Sequence, residues 1–223
     1  VDKDALLQKD HHYMARILVR QNQDYIKNLD ELTSLKNQLA REKSRMAAAT
    51  AANKAKFAGT VDELTKKVSE LEGKVAAADK ELDRAFQEFE LAFNAKRTDP
   101  NAPMTNVERA ILSEKASNYN TFRRYEGAAR TWAKLIDPSK ENNLNEYMLI
   151  ARAFYNAEKF KSSDSILNIV IQKSPDYLPA HAQVARTYNR LDPDFKTGIA
   201  RPKFEKYLSI AAKDSLKNTT EMI

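Results

Sequence analysis

Residues 144–175, LNEYMLIARAFYNAEKFKSSDSILNIVIQKSP, spell out a complete structural unit. Tyr147, Ile150, Ala151 and Phe154 fall at i, i+3, i+4 and i+7, which gathers them on one face of an α-helix. Phe160, Ser163, Leu167 and Val170 repeat that pattern on a second helix. Pro175 stops it, because proline offers no N–H to the ladder and its ring clashes with the preceding turn. The stretch is a helix–turn–helix of about 34 residues, too small to bury its own apolar faces and therefore built to stack on neighbours of the same kind.

The same register fits both flanks. Upstream, Ala116, Tyr119, Tyr125, Ala128, Trp132 and Leu135 take the corresponding places; downstream, Ala185, Tyr188, Ala200, Phe204 and Leu208 do so. The steps from Ala116 to Ala151 to Ala185 are 35 and 34 residues, and those from Trp132 to Leu167 to Phe204 are 35 and 37. The extra residues belong to LDPDFKTG, 191–198, whose two Asp, Pro and Gly make it a loop that lengthens the third turn. Ala151 and Ser163 are small where two helices must approach, and Phe154, Phe160 and Leu167 fill the space beside them. This order of small and large positions resembles the tetratricopeptide repeat (TPR) family over residues 106–212, with units at 106–140, 144–175 and 178–212. LDPD, a Gly and then ARPKFEKYL are similar to TPR proteins of Bacteroidota cell envelopes. The first unit departs from the pattern around Glu114, and KDSLKNTTEMI at 213–223 reads as the opening of a further helix.

The resemblance implies a concave groove lined by the first helix of each pair, whose polar side chains hold a peptide or a partner's terminus. Carried over by register, the groove positions are Ser117 and Asn120, then Arg152 and Asn156, then Arg186, Asn189 and Arg190. Those residue types suit the task, since a guanidinium grips a carboxylate in a bidentate fork and an amide bonds an extended backbone.

Residues 1–97 follow another plan. A helical pattern runs from the start, with Asp2 and Asp4 favouring the positive end of the dipole and no breaker for more than fifty residues. Leu6, Tyr13, Ile17, Tyr25, Leu29, Leu32, Leu39 and Met46 form its apolar stripe, interrupted at Asn22 and Lys36. Gly59 followed by Thr60-Val61-Asp62-Glu63, a capping-box pattern, predicts a break at Gly59–Thr60. Beyond it Val61, Leu64, Val68, Leu71, Val75, Ala78, Leu82, Ala85 and Phe89 alternate steps of three and four, a coiled-coil seam. Two architectures compete for that seam. An antiparallel hairpin on residues 22–57 sets Val68 and Leu71 against the alanines near 47–51, and Ala76–Ala78 near Leu39. A parallel pairing of two chains sets Lys67 and Lys74 against Glu72 and Asp79 of the second chain. TDPNAPMT then marks a linker at 98–105, and Thr105 with Glu108 offers a capping box into residues 106–223.

Composition bounds the chemistry. The chain has 223 residues with four Gly and seven Pro, 42% apolar and 30% charged, which suits an all-α protein: a long helical hairpin or coiled-coil arm, then a TPR-like α-solenoid of about three helix pairs. The net charge of +6 is spread, with 18 basic against 16 acidic residues in 1–97 and 19 against 15 in 98–223, so no basic stripe speaks for nucleic acid. The absence of cysteine excludes disulfides, thiolate metal sites and cysteine nucleophiles, and leaves the compartment open. No apolar run approaches the ~18 residues of a membrane helix. The start at Val1 and the helical tail give the expectation of a piece of a longer protein that has lost a targeting segment.

His11 and His12 are adjacent and face different ways, and His181 has no ligand at metal spacing, so packing is expected of all three. No nucleotide-loop, G-x-S-x-G or EF-hand pattern is present, and DPDFKTG lacks the closing glutamate of a calcium loop. No cofactor, metal or catalytic residue is expected. What remains is a scaffold: the groove binding a partner protein or peptide and the arm a second component, in a periplasmic cell-envelope assembly. The alternative is a structural dimer or trimer through the coiled coil, with the repeats as spacer.

Overall fold

The computed structural model describes residues 3–137 and 143–220, with side chains from 7 to 137 and from 143 to 213. Asp2 and the side chains of Asp4 and Leu6 lie outside the described residues. The described residues form helices and no strand, in two units, Val1–Pro103 and Met104–Ile223.

In the first unit α1 (Lys3–Gln21) and α2 (Tyr25–Ala48) both lie antiparallel along the 44-residue α3 (Ala51–Asn94). The seam is thus packed within one chain as a hairpin. Val61, Val68, Leu71, Leu82 and Phe89 are buried, and Leu64 and Val75 half-buried. Fully burying each such side chain contributes about 1.5–3 kcal/mol. Leu32 and Leu39 of α2 share one cluster with Val61, Val68 and Leu71.

The hairpin bends elsewhere than at Gly59–Thr60. Its turn is Ala49–Thr50, both in extended backbone, and α3 passes through Gly59 without interruption. The register is set by tertiary contacts: Gln8 Nε2 donates to the Ala92 carbonyl at 3.1 Å, Asn22 Nδ2 to Glu81 at 2.9 Å and Tyr25 Oη to Asp79 at 2.9 Å. Lys36 pairs with Glu72 at 2.7 Å. The bend thus lies ten residues earlier than expected, at Ala49 and not Gly59, and Leu32 and Leu39 replace the alanines near 47–51 as partners of Val68 and Leu71. A cap is worth about 1 kcal/mol, less than the seam that a bend at residue 59 would misalign. Lys67 bonds Glu63 of its own helix, and Glu72 and Asp79 are engaged by α2.

The first helix is also not continuous. A turn at 22–24 separates α1 from α2, where the buried Asn22 gives its amide to the Leu18 carbonyl at 2.8 Å as well as to Glu81. The offset rotates α1, so Gln8, Ala15 and Leu18 face α3, while Tyr13 and Ile17 face solvent. Small Ala15 belongs there because α3 brings Phe86, Phe89 and Phe93 to this end.

The second unit is three helix pairs: α4 (Asn106–Thr121) with α5 (Tyr125–Leu135), α6 (Leu144–Asn156) with α7 (Phe160–Lys173), and α8 (Leu178–Leu191) with α9 (Arg201–Thr220). Each helix packs on the next in chain order, the arrangement of a TPR-like solenoid. Thr105 starts it with a full capping box: Glu108 N–H donates to Thr105 Oγ1 at 3.2 Å, and Thr105 N–H to Glu108 Oε2 at 2.7 Å. The close approach inside the second pair is visible as a bond from Ser163 Oγ to the Ala151 carbonyl, 2.9 Å long and fully buried. In the first pair a Cβ on Gly127 would stand 3.0 Å from the Tyr119 ring, so this pair also closes on small residues despite the departure around Glu114. Between pairs, Ile150 and Ala153 cluster with Ala128 and Ala129, flanked by Trp132 and Phe154. Ala180 and Val184 cluster with Leu167 and Val170.

Residues 213–220 of the tail belong to α9, which runs on to Thr220, and the rest of it lies outside the described residues. Phe204 and Leu208 are exposed, although Trp132 and Leu167 at the equivalent of Phe204 are covered by the helix that follows them; no described helix follows α9.

Gly59 gives a direct check of the bend. It sits inside a helix with nothing within 4 Å of an added Cβ, so Gly59→Ala raises stability by ~0.5–1 kcal/mol in urea unfolding. A glycine closing a helix in left-handed geometry would instead lose stability on that change.

Candidate functional site

The expected groove positions lie on α4, α6 and α8, the first helix of each pair, and a turn follows each of them. The first two turns are copies without glycine. Arg123 (φ 57°) and Glu158 (φ 58°), 35 residues apart, both adopt the left-handed conformation. The next N–H reaches back over the turn in each, Arg124 to the Tyr119 carbonyl at 2.8 Å and Lys159 to the Phe154 carbonyl at 2.9 Å. These are Schellman closures, which satisfy carbonyls that a helix end leaves open.

The third turn uses a carboxylate instead. Asp192 is buried and accepts from Thr197 N–H at 3.1 Å and Gly198 N–H at 2.8 Å, with Phe195 (φ 54°) and Gly198 (φ 67°) turning the chain. Burial acts to raise the Asp192 pKa, but the hydrogen bonds from Thr197, Gly198 and Lys196 outweigh it and hold the group below its ordinary value. The DPDFKTG segment is therefore a self-capped loop, and Asp194 is taken by Lys196.

Of the expected groove residues, Ser117, Asn120, Arg152, Asn156 and Arg186 are exposed and Asn189 is half-buried. Arg152 and Arg186 stand at the same register on α6 and α8, inner helices that touch one another. Arg190 is engaged elsewhere: it pairs with Glu158 at 3.0 Å and lies over the Phe160 ring at 5.4 Å. It thus ties the third inner helix to the second turn. Asn156 lines an open cleft of about 510 Å³ at the first two turns, with Tyr119, Arg123, Tyr125 and Glu158.

Two groove features escape a reading by register alone. Leu149, on α6, is exposed and adds an apolar spot one turn from Arg152. Gln183 holds the same register on α8 but is buried, and its Nε2 has no hydrogen-bond partner among the described residues. The signal for Gln183 is absent from the sequence, since glutamine in a helix ordinarily faces water.

The histidines pack. His11 Nδ1 lies 2.6 Å from Glu88, His12 tilts against Phe89, and buried His181 bonds the Pro175 carbonyl at 2.7 Å. Among the described residues no group of three His, Cys, Asp or Glu could hold a metal ion, and no helix is long and apolar enough to cross a membrane.

No family model matches the chain, and no curated protein is similar to it. Two solved structures are. One is the C-terminal part of a TPR repeat-containing protein from Cytophaga hutchinsonii, at 18% identity and a TM-score of 0.47, covering 94% of this chain and 83% of that one. The other is the TPR2AB domain of yeast Sti1 in a complex with pHSP90, at 14% identity and a TM-score of 0.41, covering 99% and 94%.

The carboxylate cap has a testable signature. Asp192→Ala leaves α4–α7 intact but speeds amide exchange at Thr197 and Gly198. In the native chain the cap's stabilisation is present above the unfolded aspartate value near 3.8 and is lost as pH falls through the lower folded value, so the protection of these two amides, taken relative to intrinsic exchange, falls on acidification.

Proposed function

We propose that the chain is a non-enzymatic protein-interaction scaffold whose inner-helix groove holds an extended segment of a partner protein. The supporting observation is the placing of Arg152 and Arg186 at one register on touching helices, both exposed, with exposed Leu149 one turn from Arg152. Two guanidiniums grip carboxylates of an acidic segment or chain terminus, and Leu149 takes an apolar side chain. The hairpin arm contacts a second component, and the setting is a periplasmic cell-envelope assembly; the likeness of LDPD and ARPKFEKYL to Bacteroidota envelope proteins supports that setting.

Arg152→Glu with Arg186→Glu abolishes capture of the partner from a lysate of the source cells while circular dichroism and the melting temperature stay as in the native chain. Unchanged capture by a folded double variant overturns the groove reading. An unpaired buried donor costs about 1–3 kcal/mol, so Gln183→Leu melts higher than the native chain.

A further inference from the structure

Helix α1 has a second apolar stripe, on the side away from the hairpin. Tyr13 and Ile17 flank Ala15 in sequence by two residues each, which places them about 160° around the helix from the buried Ala15. Tyr13 is 69% exposed and Ile17 36%, and an open hollow of about 220 Å³ lies among Tyr13, Arg16, Ile17, Arg20 and Gln21. Asp10 precedes Tyr13 by three residues and Arg20 follows Ile17 by three, both exposed, so the stripe reads Asp10, Tyr13, Ile17, Arg20 in steps of three, four and three. That is a seam spacing.

The order of its residues names the occupant. Turned end for end about the midpoint between Tyr13 and Ile17, the stripe is its own complement: Asp10 meets Arg20 and Tyr13 meets Ile17, each pair twice. We propose that this face joins two copies of the chain through antiparallel α1 helices related by a two-fold axis. A parallel in-register pairing is disfavoured, because it stacks Asp10 on Asp10 and Arg20 on Arg20. An anionic lipid surface is disfavoured too, because Asp10 stands on the stripe itself where a membrane-bound helix carries apolar or basic residues. Met14, exposed beside the seam, comes next to its counterpart near the two-fold axis. Arg16, already engaged within its own chain, borders the other side, where its counterpart repels it. With two apolar layers between two charged ones the association is weak, of the small-interface transient kind. It uses none of the α3 seam, which the hairpin occupies.

Charge reversal tests the register. Sedimentation equilibrium of the full chain from about 10 µM to about 1 mM reads the dimer constant in the range of a weak complex. The native chain dimerises with concentration. Arg20→Asp sets like charges in two layers and weakens the dimer at least tenfold, Asp10→Arg does the same, and the double reversal restores it to within a factor of three. Asp10 and Arg20 are both exposed, so circular dichroism of each variant matches the native chain. A native chain that stays monomeric throughout the range overturns the proposal, and so does a single reversal without effect or a double reversal that fails to rescue.

Discussion

The second unit depends on how closely two helices can approach at their small residues. Ala151 and Ser163 are both fully buried, and the hydroxyl of one reaches the carbonyl of the other. A helix pair that closes this tightly leaves room on its outer surface only for a matching neighbour, and the larger side chains follow from that. Leu167 and Val170 fill the space that Ala180 and Val184 leave free, and Trp132 and Phe154 flank the contact of Ala128 and Ala129 with Ile150 and Ala153. Turn length obeys the same condition. Twelve residues separate Ala116 from Ala128 and Ala151 from Ser163, and both turns close through one left-handed residue. Fifteen separate Ala185 from Ala200, and there a buried aspartate holds the extra residues in place.

The hairpin solves a different problem, since a long seam of similar residues fits in several registers. Apolar burial is nearly indifferent to a slip of one heptad, whereas a buried polar group is not. Gln8 and Asn22 are buried and bond partners on α3 at only one alignment, Gln8 to the Ala92 carbonyl and Asn22 to Glu81. A slip leaves the Gln8 amide unpaired, at about 1–3 kcal/mol, and takes from Asn22 its bond to Glu81 while the Leu18 carbonyl stays its partner. The same alignment sets His12 against Phe89 of α3.

This contrast explains what the sequence disclosed and what it hid. The helix pairs were legible because their signal is periodic: a small residue at Ala116, Ala151 and Ala185 recurs at nearly constant spacing, and no single position bears the inference. The bend of the hairpin was not, because the local signals at Gly59 and Thr60 are worth about 1 kcal/mol and compete with a seam of many side chains. The turn at Asn22 hid for the related reason that asparagine in a helical stripe looks like an interruption, while its role, bonding Leu18 and Glu81 at once, exists only in the folded hairpin. Phe204 and Leu208 were read as core by repeat position, yet a repeat position is buried only when a helix lies over it.

Register puts the expected groove positions on the first helix of each pair but does not rank their side chains. Arg186 and Arg190 are one turn apart and alike in sequence, yet Arg190 is held by Glu158 and Phe160 and serves the stacking of pairs, whereas Arg186 faces outward at the level of Arg152. Such a division arises from the turn: Glu158 projects toward α8 because its backbone is left-handed, and a right-handed residue there would both open the Schellman closure and release Arg190. The conformation of one turn residue thus bears on which arginine stays exposed and which belongs to the array, and it does so through backbone geometry that no side-chain pattern in the sequence encodes.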